Sequence, residues 1–158
     1  MKVMVFDVGG TEIKYSVMDD TMNYYESGSV PTPSDSQEHF LETMAEIYRP
    51  HRDEVDGIAL SLPGFIDAEH GVVKGGGAPS IIYNIGTPVG PRLAEKCGCK
   101  VWIENDGKAA AIAELQRVSS RAAATQRCSS SAPAWAAASS SMASWCGAGT
   151  LRRGSTAS

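Results

Sequence analysis

The sequence contains no uninterrupted apolar run of 18 residues, so it predicts no membrane-spanning helix. Basic residues form no stripe and the formal net charge is −4, which argues against a nucleic-acid partner. No apolar leader precedes the first apolar segment at Val3, so we expect a cytoplasmic protein. Its four cysteines should then stay reduced.

Acidic residues are absent from the last part of the chain. All 18 lie within residues 1–116, which carry a net charge of −9, whereas residues 117–158 contain five arginines and no lysine. The same stretch has 11 serines and 11 alanines, with Val118 and Leu151 as its only large aliphatic residues. Such a composition buries little apolar surface to offset chain entropy. We therefore predict a folded domain over 1–116 and a disordered Ala/Ser-rich tail over 117–158.

A short apolar run at Val3–Val8 contains one carboxylate, Asp7, and ends in two glycines. The run predicts a strand buried on both faces, and the polar–apolar alternation after it predicts a second strand. A P-loop or dinucleotide fingerprint is disfavoured because both need a helix after the glycines. In one interpretation Asp7 holds a hydrated Mg²⁺ and the turn binds phosphate oxygens. The phosphate donors would be the amides of Gly9, Gly10 and Thr11 and the Thr11 hydroxyl. The alternative is an ordinary tight hairpin with an Asp that caps the turn.

The remaining periodicity predicts alternating strands and helices, and therefore a mixed α/β fold. The predicted elements are a strand over Met22–Val30, a core helix between Ser34 and Pro50, a strand over Val55–Leu62, a helix over Pro88–Cys97, a strand over Val101–Ile103 and a helix over Ala109–Leu115. Ser34 and Gln37 fit a capping box for the first helix. Cys97 and Cys99 fit a helix end and a strand start better than a zinc site, because two thiols one residue apart are a weak zinc signal.

Three polar or Gly-rich segments follow predicted strands. Pro63–Gly64 is a turn at a strand end, where ligand contacts concentrate in α/β sheets. Residues 75–79 form a Gly-rich loop that fits either a substrate-facing wall or a simple linker. Asp106 is placed to accept a proton from a substrate hydroxyl, and Asn105 to hold neighbouring hydroxyls. The alternative is that Asp106 only caps the following helix, and the spacing leaves both interpretations open.

Two of these segments together resemble motifs of the ROK family of sugar kinases. Asp7–Thr11 followed by Lys14 resembles the family's first phosphate motif, and Asn105–Ala111 resembles its catalytic strand-to-helix segment. The turn at Gly64 and the loop at 75–79 fall where the family has sugar-facing turns. The order and separation of the four segments match, and the likeness covers about residues 1–115.

The resemblance implies the amino-terminal lobe of the actin-like, ribonuclease-H-like ATPase fold, with a mixed sheet and flanking helices. It implies ATP and Mg²⁺ in a cleft, and Asp106 as the base that takes the proton of a sugar hydroxyl before that hydroxyl attacks the γ-phosphate. The implied cofactor residues are Asp7, Gly9, Gly10, Thr11 and Lys14, with Asp7 reaching Mg²⁺ through phosphate or water. The implied sugar-binding residues are Asn105, Asp106, Gly64 and Gly77.

The family also implies partners for this chain. The substrate would be a hexose or an N-acylamino sugar, such as glucose or N-acetylmannosamine. Some family members are repressors with a DNA-binding helix-turn-helix before the first strand, and this sequence has no residues there, so we expect no nucleic acid. Members often dimerise through the second lobe, so a homodimer is expected only of the intact protein.

The tail after Glu114 departs from the family pattern, and we hypothesise that it is the same gene read one base out of frame. Codons compatible with residues 132–143 regroup one base earlier to spell Gly-Thr-Gly-Val-Gly-Gly-Gly-Ile-Ile-Ile-Asp-Gly. That is a Gly-rich phosphate loop of the kind the family places here. The change of frame would lie within Leu115–Ser120. On this hypothesis the chain lacks half of the nucleotide cleft and is inactive. The alternative is a non-catalytic sugar-binding or regulatory fragment.

Overall fold

The computed structural model describes residues 1–21 and 23–123. The strands are β1 (Lys2–Val8), β2 (Glu12–Asp19), β3 (Tyr24–Pro31), β4 (Gly57–Leu62), β5 (Phe65–Asp67), β6 (Val72–Gly75) and β7 (Lys100–Asn105). The α-helices are α1 (Gln37–Tyr48), α2 (Val89–Cys97) and α3 (Asp106–Ala123), and two 3₁₀ helices span Arg49–His51 and Pro79–Asn84. This alternation confirms the predicted mixed α/β class.

Five strands form one mixed sheet in the order β3-β2-β1-β4-β7. The first three strands are antiparallel, whereas β4 runs parallel to β1 and β7 runs parallel to β4. The carboxyl ends of β1, β4 and β7 therefore meet at one edge of the sheet. Ligand sites in open α/β sheets form outside such an edge.

Strand β1 is buried on both faces, which explains its continuous apolar run. Met4, Phe6 and Val8 belong to the larger core, together with most of the buried residues of α1 and α2. Val3 and Val5 belong to a smaller cluster on the other face, which includes Ala109 of α3. Helices on both faces are the reason that no polar alternation marks this strand.

Helix α1 begins two residues later than the capping-box prediction. Its N-cap is Ser36, whose Oγ accepts a hydrogen bond from the His39 amide at 3.2 Å. The Ser34–Gln37 capping box is therefore wrong. The Gln37 side chain instead donates to Asn84 Oδ1 at 3.0 Å and to Thr87, which ties α1 to the segment before α2. Tertiary hydrogen bonds take the side chain that the capping box would have used.

Helix α3 continues beyond residue 116, the expected end of the folded domain. It continues through Ala123, so residues 117–123 at the start of the predicted tail are helical. Residues 124–158 of that tail lie outside the described residues, and its disorder and the 116/117 boundary stay predictions. None of the helices described is long and apolar enough to cross a membrane.

Candidate active site

Three strand ends bring polar residues together at the carboxyl edge of the sheet. Asp7 of β1 is in register with Ser61 of β4, and Leu62 of β4 is in register with Asn105 of β7. Asp106 follows Asn105 directly and opens α3. Most of the residues predicted at the cofactor and at the sugar therefore lie along one edge or in the turns that leave it.

The Asp7 carboxylate is half buried, and the polar groups around it compensate its negative charge only in part. Burial raises its pKa above the ordinary value of 3.8, and the neighbouring Asp106 carboxylate acts in the same direction. The Ser61 hydroxyl and the Lys14 ammonium lower the pKa of Asp7, but not enough to offset its burial. A cation at this position would favour the ionised carboxylate.

Ser61 is a functional candidate that the sequence reasoning missed. Its residue is only 3% exposed, and its Oγ has no hydrogen-bond partner at ordinary geometry among the described residues, although it lies beside Asp7. The detectable signal was one polar residue near the carboxyl end of the buried strand β4.

The turn between β1 and β2 offers fewer free amides than expected. The Gly9 amide donates to the Glu12 carbonyl at 2.9 Å, and the Gly9 carbonyl accepts from Thr32 Oγ1 at 2.8 Å. The Gly9 amide is therefore committed to the hairpin. By contrast, the Gly10 and Thr11 amides receive no hydrogen-bond partner from the described part of the chain. These two amides are the donors left for an anion.

A second segment packs directly on this turn. Ser80 Oγ donates to the Gly10 carbonyl, and a Cβ at Gly10 would lie 2.8 Å from the Ala78 Cβ. The segment that follows the Gly-rich loop therefore touches the turn after β1. A loop packed on that turn fits a wall of the site better than a simple linker.

Asn105 joins the parts of the site that lie around β7. Its Nδ2 donates to the Gly64 carbonyl at 2.6 Å and to Asp106 Oδ1 at 3.1 Å. Its Oδ1 accepts from the Lys108 amide at 3.0 Å. One side chain thus links the turn after β4, the candidate base and the first turn of α3.

The hydrogen bonds decide which residue caps α3. The acceptor for the Lys108 amide is Asn105, so the residue in the N-cap role is Asn105 rather than Asp106. Asp106 lies at the first helical position and is exposed. Its Oδ1 accepts from the Gly107 amide at 2.7 Å, and its Oδ2 accepts no hydrogen bond from the residues described. Oδ2 is therefore free to accept a proton or a hydroxyl.

Backbone contact joins the two glycines that were predicted at the sugar. Gly64 has φ +114°, and a Cβ there would lie 2.6 Å from the Gly75 carbonyl oxygen. A Cβ at Gly77 would lie 2.9 Å from the Pro63 carbonyl oxygen. The turn after β4 and the Gly-rich loop therefore pack backbone to backbone, beside the Asn105 amide.

Glu104 supports this segment and was also missed. Its residue is 6% exposed, its Oε1 accepts from the Asn105 amide at 3.0 Å, and its Oε2 lies 3.0 Å from Lys108 Nζ. In the sequence, a carboxylate directly after an apolar run predicts the start of a loop. In the structure it fixes the backbone of Asn105.

The residues present fit a phosphate ester and a hydrated cation. The turn after β1 has two free amides, and the Asp7 carboxylate is only partly compensated by the Ser61 hydroxyl beside it and by Lys14. Lys14 is exposed and is in register with Asp7 on the neighbouring strand. The described residues contain no group of three or more His, Cys, Asp or Glu placed to hold a metal. A cation at Asp7 would thus need water or phosphate to complete its ligands.

The five-stranded mixed sheet with flanking helices has the actin-like ATPase fold. A profile of the ROK family matches residues 3–127, and the chain belongs to this family. The family predicted from Asp7–Thr11 and Asn105–Ala111 is thereby confirmed.

Individual relatives give the extent of the match. An N-acetyl-D-glucosamine kinase of Vibrio parahaemolyticus is 35% identical over 112 residues, which cover 69% of this chain and 36% of the relative. A beta-glucoside kinase of Klebsiella pneumoniae is 31% identical, covering 72% and 37%. The crystal structure of a ROK hexokinase from Thermus thermophilus aligns with a TM-score of 0.62 and 32% identity, covering 73% and 39%. The chain therefore spans little more than a third of the length of these relatives.

The contact between Gly64 and the Gly-rich loop predicts a position-dependent cost for alanine. In Gly64→Ala the new Cβ meets a backbone carbonyl at a positive φ, whereas in Gly86→Ala, at φ +76°, it meets open space. We expect Gly86→Ala to lower the free energy of unfolding by about 1–2 kcal/mol from backbone strain alone. Gly64→Ala should lose roughly 1–3 kcal/mol more from the overlap. Urea unfolding measures both, and equal losses would contradict the packed turn.

Burial of Asp7 predicts a gain in stability when its charge is removed. Because its pKa is raised, the folded chain binds a proton at this carboxyl more tightly than the unfolded chain. The ionised carboxylate therefore lowers the free energy of unfolding at neutral pH, and this loss vanishes as the pH falls below the unfolded pKa. We expect Asp7→Asn to be more stable than the unsubstituted chain at neutral pH, with the difference disappearing below about pH 4. Urea unfolding at a series of pH values measures it.

Asp19→Asn is the matched control, for which we expect a change in stability of the opposite sign. Hydrogen bonds from the Tyr25 hydroxyl, the Asn23 amide and Thr21 hold the pKa of Asp19 well below its ordinary range. Ionised Asp19 therefore stabilises the fold at neutral pH, and this contribution is lost as the pH falls. Asp19→Asn should be less stable at neutral pH. A loss of stability in Asp7→Asn like that in Asp19→Asn would show that Asp7 is a structural hydrogen-bond acceptor instead.

Proposed function

We propose that residues 1–116 form the amino-terminal lobe of an ATP-dependent kinase that phosphorylates a hexose or an N-acylamino sugar. The observation that carries this proposal is the Asn105 amide, which holds the Gly64 turn and the Asp106 carboxylate in one unit. A sugar hydroxyl and its base have to be held together in this way for proton transfer. The kinase names of the two 31–35% identical relatives support the same class, and one of them names N-acetyl-D-glucosamine.

In this proposal Asp106 is the general base. Its Oδ1 is fixed by Asn105 and by the Gly107 amide, which orients the free Oδ2 toward a substrate hydroxyl. Asn105 and the backbone at Gly64 and Gly77 hold the neighbouring hydroxyls of the sugar. Hydroxyl-binding by backbone carbonyls requires close approach, which the glycines permit.

The nucleotide side of the site would be formed by the turn after β1. The Gly10 and Thr11 amides are free donors for phosphate oxygens, and Gly9 shapes the turn through its own hydrogen bonds. Asp7, with Ser61 beside it, would hold hydrated Mg²⁺, and Lys14 adds a positive charge. Bound Mg²⁺ neutralises charge on the transferring phosphoryl group.

The base assignment predicts a loss of turnover without a loss of sugar binding. In a protein that carries this lobe together with the rest of a ROK domain, Asp106→Asn keeps the hydrogen-bonding shape but cannot take a proton. We expect its kcat to fall by about 10²–10⁴, with the dissociation constant for N-acetylglucosamine changed only a few-fold. Coupled detection of ADP release and calorimetric titration measure the two quantities. Asp53→Asn is the control, because the Asp53 side chain is 88% exposed.

Either result at this residue is decisive for its role. An Asp106→Asn enzyme with unchanged kcat would remove Asp106 as the base. Sugar binding by the unsubstituted protein without ATP turnover would favour the second candidate function, a non-catalytic sugar-binding or regulatory fragment. The observation behind that candidate is that the Asn105 contacts with Gly64 and Asp106 are complete within this chain, while the match covers about a third of each kinase relative.

We also propose that residues after about Leu115–Ser120 are encoded one base out of frame, and that the 158-residue polypeptide by itself has little or no kinase activity. The support is the regrouping of codons for residues 132–143 into a Gly-rich phosphate loop, together with the absence of acidic residues in the tail. Sequencing the gene from codon 110 onward should reveal a missing base near codon 115. An intact reading frame in an independent isolate, or hexose phosphorylation by the purified 158-residue chain at ordinary kinase rates, would contradict the proposal.

A further inference from the structure

Two thiols lie at the end of the sheet opposite the candidate active site. Helix α2 ends at Cys97, Gly98 turns the chain with φ +67°, and β7 begins just after Cys99. The candidate site lies at the other end of β7, a strand of six residues. At about 3.3 Å per residue, this places the thiols roughly 20 Å from Asp106.

Both thiols lie near the phenol of Tyr48, and one of them lines a cavity. Cys97 and Cys99 are both partly exposed free thiols that pack against the core cluster, which includes Tyr48 of α1. Cys99 also lines an open cavity of about 880 Å³. Its charged and polar neighbours there are the Met1 residue, Tyr48, Arg52, Asp56 and Lys100. A small molecule can therefore reach Cys99 from solvent.

The surroundings make the two sulfurs chemically unequal. Hydrogen bonding with Cys97 lowers the pKa of Cys99 to about 7, and the Tyr48 hydroxyl acts in the same direction against the effect of burial. The same hydrogen bond and burial raise the pKa of Cys97. Around neutral pH a substantial fraction of Cys99, the thiol that lines the cavity, is therefore thiolate, whereas Cys97 stays protonated. This division of roles is what stepwise thiol–disulfide exchange requires.

We propose that Cys99 is a thiol–disulfide exchange site for low-molecular-weight disulfides such as glutathione disulfide, with Cys97 as its resolving thiol. The Cys99 thiolate attacks one sulfur of the disulfide, which forms a mixed disulfide on Cys99 and releases one small thiolate. Cys97 then loses its proton to solvent and attacks the Cys99 sulfur, which releases the second small thiol. The two protein thiols are oxidised to a Cys97–Cys99 disulfide, and the small disulfide is reduced to two thiols.

The chain geometry around Gly98 permits this bond. Residues two apart have Cα atoms about 5–7 Å from one another, which overlaps the roughly 4.4–6.8 Å found across disulfides. Gly98 carries no side chain that would obstruct the approach of the two sulfurs. Its left-handed backbone conformation, which glycine adopts without strain, ends α2. The other two cysteines, Cys128 and Cys146, lie outside the described residues and serve as internal references.

The experiment treats the full chain with glutathione disulfide and follows its cysteines by intact mass and by mapping of proteolytic peptides. We expect a glutathione adduct on Cys99 first, then its loss with formation of an internal Cys97–Cys99 disulfide. In Cys97→Ser the adduct on Cys99 should persist. In Cys99→Ser the remaining Cys97 should react several-fold more slowly than Cys99 does in Cys97→Ser, because Cys97 is partly buried and does not line the cavity.

A denatured sample is the matched control, because unfolding removes the pocket and should make all four cysteines react at similar rates. Reaction of native Cys97 as fast as Cys99 would overturn the proposal. So would an adduct on Cys99 that is never resolved by Cys97, or identical rates in native and denatured chains. Tyr48→Phe should slow the first step several-fold without preventing the second. None of these readouts involves sugar or ATP, so they are independent of the proposed kinase function.

Discussion

The Asn105 side chain is the contact on which the candidate site depends. Its amide and carbonyl groups satisfy a carbonyl of the β4 turn, a carboxylate oxygen of Asp106 and a backbone amide of α3 at the same time. Glu104, buried beneath it, fixes the Asn105 backbone through the preceding peptide. Three separate segments thus acquire one geometry from a single planar group, and neither an aspartate nor a leucine at this position could donate to Gly64 while accepting from Lys108.

This arrangement has an electrostatic cost, which arises from the buried charge of Asp7. Two carboxylates, Asp7 and Asp106, face one edge of the sheet, and only Lys14 and the Ser61 hydroxyl compensate the buried one. A fold selected for stability alone would place an apolar or amide residue at the end of β1. In the proposed function a bound cation would compensate this charge, with the buried Ser61 hydroxyl beside it.

Sequence patterns predicted those parts of the structure that depend on local periodicity. The apolar run at Val3–Val8 and the strand-to-helix segment at Asn105 were both found, because burial on two faces and helix initiation leave local signals. The N-cap of α1 and the free donors of the β1–β2 turn were not predicted correctly. Gln37 and the Gly9 amide bind partners that sequence spacing does not reveal. Ser80, 70 residues from Gly10, could be placed on the turn only by the fold.

The unmet hydrogen-bonding groups indicate what the described lobe needs from outside itself. The Gly10 and Thr11 amides and Asp106 Oδ2 lack partners within the residues described, and these groups belong to the same edge or to the turns that leave it. Donors and acceptors occur together there, so a simple anion would satisfy only the amides and a simple cation only the carboxylates. A ligand pair that presents phosphate oxygens at one end and a hydroxyl at the other satisfies both. This combination of free donors and acceptors supports the kinase function proposed above.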